Sequence, residues 1–208
     1  MKKIISFALA ASLMLLGTQA FAQMSVNAGY LNSTLKTGNA SSNANGAFAG
    51  ISFNIPLVGD LGIAPGVYYS LIGSKSGDAA SIFGVTFSDS STFLEHAVNV
   101  PVYLNYGYDL TFDTRFFVFG GPTLQYGLAS TVKYDGSVGG ASGSRTYNNY
   151  DNENFNRMNV YLGGGLGFKI SALQITVGYD YGMMNQYKGD NAPKCHRSNL
   201  KIGVGFGF

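Results

Sequence analysis

Few residues of this chain are equipped for bond-making chemistry. A hydrolytic site needs a Ser, Cys or acidic nucleophile with a base in reach. The two histidines are His96, at the head of a run of alternating apolar residues, and His196, next to Cys195. Neither lies beside a nucleophile motif, so both read as rim or loop histidines and no catalytic residue is assigned. Cys195 and His196 together offer two ligands to a soft metal, short of a four-ligand site. The run Gly163-Gly164-Gly165 lacks the helix start and the Lys-Ser/Thr of a phosphate loop. No enzyme activity, metal or cofactor is expected, and the single cysteine excludes an intrachain disulfide.

The remaining polar residues gain meaning only from the elements that carry them. Lys2 and Lys3 precede a short apolar stretch, Ile4 to Leu16, and Ala20-Phe21-Ala22 has the small-x-small pattern of a signal-peptidase site. The stretch is too short to span a bilayer as a helix, which takes ~20 residues. Residues 1–22 are therefore expected to be a signal peptide cut between Ala22 and Gln23, with residues 23–208 forming one domain.

That domain is rich in glycine and aromatics: the chain has 29 Gly, 14 Tyr and 15 Phe but no Trp, which disfavours helix. A net charge of +2 with no basic run excludes a nucleic-acid partner. No later apolar run is long enough for a membrane helix. The other way to cross lipid is a closed sheet, which leaves no unpaired backbone groups in hydrocarbon.

Period-2 alternation occurs eight times, beginning with Val26, Ala28 and Tyr30 and ending with Leu200, Ile202, Val204, Phe206 and Phe208. In each segment the second set of positions is Gly, Ser, Asn, Thr or charged. Most segments reach the ~9–11 residues that a tilted strand needs to cross a bilayer. A soluble sandwich would alternate similarly, but three features favour the membrane version. The links Pro56–Asp60, Asp109–Thr114 and Ser171–Ala172 are short, whereas Ser33–Ala44, Ser74–Phe93, Thr131–Asn156 and Lys188–Cys195 are long and polar. The glycine-dominated face suits a narrow lumen that must also hold Tyr103, Phe117, Phe119 and Tyr161. Aromatics such as Phe53, Tyr106, Tyr108, Phe116, Phe168 and Phe206 sit near segment ends, where interface girdles belong.

The expected fold is all-β: an eight-stranded antiparallel up-and-down transmembrane barrel in a bacterial outer membrane. Both termini should be periplasmic and the long loops extracellular. Asp180 and Lys201 then lie on neighbouring strands, each seven residues from the periplasmic end, and are expected to form a lumen ion pair. The pair reads either as a plug that stabilises the barrel or as a selectivity element for ions. The largest irregular segment, Thr131–Asn156, contains Tyr147-Asn148-Asn149-Tyr150-Asp151-Asn152. Its Tyr, Asn, Ser and Gly residues suit an adaptable binding surface and a flexible loop equally.

Two stretches resemble known families. The terminal Leu200-Lys201-Ile202-Gly203-Val204-Gly205-Phe206-Gly207-Phe208 resembles the signal by which outer-membrane barrels are handed to the barrel-assembly machinery, which makes Val204, Phe206 and Phe208 the assembly-signal residues. Phe93-Leu94-Glu95, then Val98 to Tyr106, then Phe116 to Pro122, resembles the PorT-like outer-membrane β-barrel family common in Bacteroidetes. The inserted His96-Ala97-Val98 and Asn105, where that family usually has Lys, depart from its pattern. The resemblance implies fold and location, and little about activity.

Three functional readings follow. In the first, a barrel with a filled lumen acts through its extracellular loops. The second is a narrow, porin-like passive channel, and the third an accessory factor for secretion or assembly at the outer membrane. Expected partners are outer-membrane lipid, the barrel-assembly machinery during biogenesis, and an unidentified extracellular ligand of residues 131–156.

Overall fold

The computed structural model describes residues 23–82, 85–138, 141–151, 155–188 and 194–208. The expected signal peptide, with Ala22, lies outside them, and Gln23 opens the first strand. Nine strands form in chain order: β1 (Gln23–Thr37), β2 (Ala40–Val58), β3 (Leu61–Ile82), β4 (Val85–Thr111), β5 (Thr114–Val138), β6 (Ala141–Asn148), β7 (Met158–Ile170), β8 (Leu173–Gly182) and β9 (Cys195–Gly207). All pairings are antiparallel. Eight strands close a ring in the order β4-β3-β2-β1-β9-β8-β7-β5, sealed by β4 against β5. The ninth, β6, stands outside the ring and pairs only with the far half of β5, from Thr131↔Asn148 to Val138↔Ala141.

Alternation sets what each face meets. Val100, Val102, Leu104 and Tyr106 of β4, and Leu173, Ile175, Val177 and Tyr179 of β8, all point outward and are exposed. Inside, thirteen buried residues are polar or charged and seven apolar among the described residues, the reverse of a water-soluble core. Such an inverted molecule is stable only where hydrocarbon wets its outside. Ten residues separate Phe116 from Tyr126, both outward on β5, which at ~3.4 Å per residue and a ~40° tilt gives an apolar band about 25 Å tall. Phe116, Phe168 and Phe206 edge this band at one end, and Tyr69, Tyr126 and Tyr181 at the other.

Three tight turns stand at the lower end. Gly59-Asp60, Phe112-Asp113 and Ser171-Ala172 each join paired strands. Gly59 (φ 58°) and Ser171 (φ 53°) take left-handed backbone at the first position of their turns, a conformation favoured in two-residue hairpin turns.

The upper end differs from the sequence expectation. The links expected to be loops are largely continuations of the strands. The β1–β2 ladder runs from Gln23↔Asn54 to Thr37↔Ala40 around a Gly38-Asn39 turn. The β3–β4 ladder extends to Ile82↔Val85, and β4–β5 to Phe87↔Val138. Within Thr131–Asn156, read as irregular, the described residues include the distal half of β5, strand β6 and a 3-10 turn at Asn149–Asp151. These segments are rich in Ser, Thr, Gly and Asn, so neither face is apolar and the period of two disappears from the sequence. Backbone pairing needs no such contrast. A four-stranded sheet of β3, β4, β5 and β6 thus rises above the apolar band.

Candidate functional site: a lumen closed above and open at the turns

The lumen is the interior of this ring, and its contents vary with height. Its lower part is a cavity of about 620 Å³ that reaches from the tight turns, at Gly59, Phe112 and Ser171, up to Ser70, Thr123 and Asp180. Its wall is held by cross-strand contacts. Asn27 Nδ2 donates to Ser52 Oγ (3.0 Å) and to the Tyr68 hydroxyl (3.2 Å), while its Oδ1 accepts from Gln174 Nε2 (2.5 Å). Asn105 Nδ2 donates to Asn54 Oδ1 at 2.7 Å. At the mouth Arg115 bridges two turns, pairing with Asp109 (3.0 Å) and Asp60 (3.7 Å). Lys169 donates to Gln23 Oε1 at 3.0 Å.

Asp180 and Lys201 meet at mid-height. Gly178↔Lys201 and Asp180↔Asn199 are paired across β8 and β9, which makes the two charged residues diagonal neighbours on the lumen face. Lys201 Nζ lies 2.5 Å from Asp180 Oδ2 and donates to the Tyr103 hydroxyl at 3.0 Å. Tyr103 also contacts Thr123 Oγ1 at 3.0 Å. Gly163 of β7 stands beside Asp180, where any Cβ would overlap the carboxylate.

A hydrogen-bonded bar runs along one side of the lumen above this pair, from β7 through β5 and β4 to β3. The Tyr161 hydroxyl donates to Gln125 Oε1 (3.0 Å), Gln125 Nε2 to Asn99 Oδ1 (3.0 Å), and Asn99 Nδ2 to Ser70 Oγ (2.8 Å). Tyr161 is only 1% exposed.

The top layer was not anticipated from the sequence. Arg197 of β9 forms a two-pronged ion pair with Glu95 of β4, Nη2 lying 3.1 Å from Oε2, and both side chains are at most 3% exposed. Arg197 Nη2 also reaches Gln186 Oε1 at 3.5 Å. Tyr150, from the 3-10 turn, folds over them into the space that Gly127 leaves free, and Arg157 lies 5.3 Å over its ring. Burial first, and the Glu95 carboxylate second, hold the Tyr150 hydroxyl well above the usual tyrosine range. Both members of the ion pair stand at lumen-facing positions, and that parity was the available signal. Arg197 was hidden because β9 begins at Cys195, earlier than its apolar alternation does, and because β4 and β9 face each other across the ring without being neighbours.

The other singled-out residues take separate places. His96 lies on the outer face with Nδ1 against the Tyr69 hydroxyl. His196 stacks on Tyr181 and its Nδ1 contacts the Gly182 carbonyl at 3.1 Å. Cys195 is fully buried, its Sγ 3.1 Å from Thr37 Oγ1. Among the described residues no three His, Cys, Asp or Glu gather as a metal site. Val204, Phe206 and Phe208 are exposed on the outer face, and the Phe206 and Phe208 rings meet edge-on at 5.2 Å.

An eight-stranded closed ring with an apolar exterior and a polar, charged interior defines a transmembrane β-barrel. The sequence matches the outer membrane protein β-barrel domain over residues 17–188, and the chain belongs to that family. Its place is the outer membrane. No curated protein matches the sequence. Among solved structures it is similar to the Neisserial surface protein A, at 15% identity and TM-score 0.48, over 89% of this chain and 97% of that one. It is similar also to Ail, the attachment invasion locus protein of Yersinia pestis, in complex with the heparin analogue sucrose octasulfate (15% identity, TM-score 0.42, 90% and 99% covered). A third is the outer membrane protein OprG from Pseudomonas aeruginosa (12% identity, TM-score 0.42, 90% and 96% covered).

Proposed function

We propose that this chain is a non-catalytic outer-membrane protein that displays an extended sheet at the cell surface, with its tight turns and both termini in the periplasm. The observation that carries this reading is the four-stranded extension beyond the apolar band. Its exposed side chains include Tyr134 and Tyr147, edge-on at 6.0 Å, with Arg145 5.0 Å over the Tyr147 ring. Aromatic and Arg groups on a Ser- and Gly-rich frame are the materials of recognition surfaces. His96 is engaged by the Tyr69 hydroxyl and His196 by the Gly182 carbonyl, not by a Ser or Cys side chain, which supports the non-catalytic reading. The Glu95–Arg197 layer and the Tyr161 bar favour a stabilising plug over a passive channel. Phe208, with Phe206 and Val204, would serve recognition by the barrel-assembly machinery.

Three measurements test this. Ser142→Cys in a Cys195→Ser background should react with a membrane-impermeant maleimide on intact cells, and Ser171→Cys should not; the reverse pattern would invert the orientation. Reconstitution in planar bilayers should give no stable single-channel conductance, whereas stable steps would establish the channel. Shortening the β5–β6 hairpin should leave the barrel folded and reduce attachment of whole cells to surfaces. Unchanged attachment would remove the surface role.

The mid-chain resemblance to the PorT-like family supports a second reading, an accessory to secretion. Loss of secreted cargo on deletion, with unchanged surface attachment, would favour it.

A further inference from the structure

We propose that the lower lumen is a binding site for a short, uncharged, hydroxyl- and amide-bearing chain, specifically a neutral oligosaccharide of about three rings. Its size fits the ~300–1,000 Å³ of small-ligand sites. It is blind, because Tyr161, Gln125 and the Glu95–Arg197 layer lie above it, and it opens only past the tight turns. From Gly207 up to Lys201 on β9 is about 15 Å along the axis at ~3.4 Å per residue and a ~40° tilt.

The wall chemistry selects the ligand. Charged groups at this level are engaged with the protein itself: Arg115 with Asp60 and Asp109, Lys201 with Asp180, and Lys169 with Gln23. Asp113 at the lip adds negative charge, so an anion is disfavoured. A charged ligand would have to break one of these pairs, whereas an uncharged one leaves them intact.

Hydrogen-bonding capacity still faces the cavity. The Lys201 ammonium has three N–H groups and two described partners, Asp180 and Tyr103, which leaves one for an acceptor below. Asn54 retains its amide N–H groups, and Asn105 and Gln174 their carbonyl oxygens, after the contacts described. Aromatic rings line the cavity among these polar groups, the Phe48–Tyr68 pair on one side and Phe117, Phe119 and Tyr103 on the other. Hydroxyls that both donate and accept, attached to rings whose C–H faces lie flat on aromatics, match this wall. A peptide matches it less well. Peptides bind barrels and sheets by adding a strand to an open edge, and every strand around this cavity is already paired on both sides.

The test uses the purified full chain in detergent micelles. Chitotriose, which carries hydroxyls and amides and no charge, is titrated while the side-chain amide resonances of Asn and Gln are followed by NMR. A capped penta-alanine and a trimer of glucuronic acid serve as peptide and anionic probes. Saturable shifts at Asn54, Asn105 and Gln174 with chitotriose alone, at Kd below about 1 mM, are expected. Ser52→Phe, which fills the axis, should abolish them while the heat-modifiable mobility of a folded barrel persists. The double variant Asp180→Asn/Lys201→Met, which removes both charges together, should weaken binding about tenfold. No saturable shift, equal binding of either control probe, or shifts unaffected by Ser52→Phe in a folded barrel would each overturn the proposal. Binding in micelles is independent of which way the barrel faces, so this result and the orientation test fail separately.

Discussion

Arg197 and Glu95 join opposite walls of the barrel. They come from strands four places apart in either direction around the eight-stranded ring, and their two-pronged contact closes the lumen just beneath Tyr150. Strand ladders fix neighbours, but they do not fix the distance between opposite walls. This pair does so near the level at which the sheet leaves the apolar band.

The first prediction follows from its burial. Glu95→Gln or Arg197→Met alone leaves one charge desolvated and should lower stability by ~3–5 kcal/mol. The double variant should recover most of that loss, because no unpaired charge remains. Urea unfolding in micelles, compared across the four-member cycle, measures it; additive losses would mean that the pair is not coupled.

Lys201 is 23% exposed on the cavity side, so its pairing with Asp180 is partly wetted. Asp180→Asn should therefore cost less than the upper pair, about 1–3 kcal/mol. Adding Lys201→Gln should cost little more. The same unfolding experiment reads both.

Gly127 provides the space that Tyr150 occupies. Gly127→Ala should push the tyrosine out of its seat and cost about 1–3 kcal/mol, and Tyr150→Leu in the same chain should relieve the loss. If Gly127→Ala unfolds no more easily than the parent, Tyr150 does not form a fixed cap.

The raised Tyr150 pKa has a pH signature with a definite sign. The folded state holds the proton more tightly than the unfolded one, so the associated stability is complete below the unfolded value, about pH 10. It is lost as pH rises from there through the folded value. Unfolding midpoints should fall in that alkaline window, and Tyr150→Phe should flatten the decline.

Much of the barrel is legible in the sequence because lipid and lumen impose opposite demands on alternate residues. Val100, Val102 and Leu104 can only face outward if Asn99, Pro101 and Tyr103 face in. The same logic puts Asp180 and Lys201 inside, and the short Ser171–Ala172 turn with antiparallel pairing brings them to similar heights. Two things are hidden. Residues 74–82 and 131–148 carry polar groups on both faces, so their strand character lies in backbone pairing alone. Contacts across the lumen, such as Glu95 with Arg197, depend on ring closure, and no local pattern encodes which opposite strands meet.

Ring closure also imposes an order on biogenesis. The first and last strands meet along thirteen residue pairs, from Ser25↔Gly207 to Thr37↔Cys195. Until that seam zips, β1 and β9 each present a bare row of amide and carbonyl groups, and hydrocarbon tolerates neither. A ribosome delivers β9 after the other ring strands, so no chain that lacks it is an acceptable lipid solute. Closure of the ring must therefore wait for β9, and both rows need cover until it arrives. A truncation before Cys195 would therefore leave β1 and β8 with bare edges and no closed ring, however well the other strands pair.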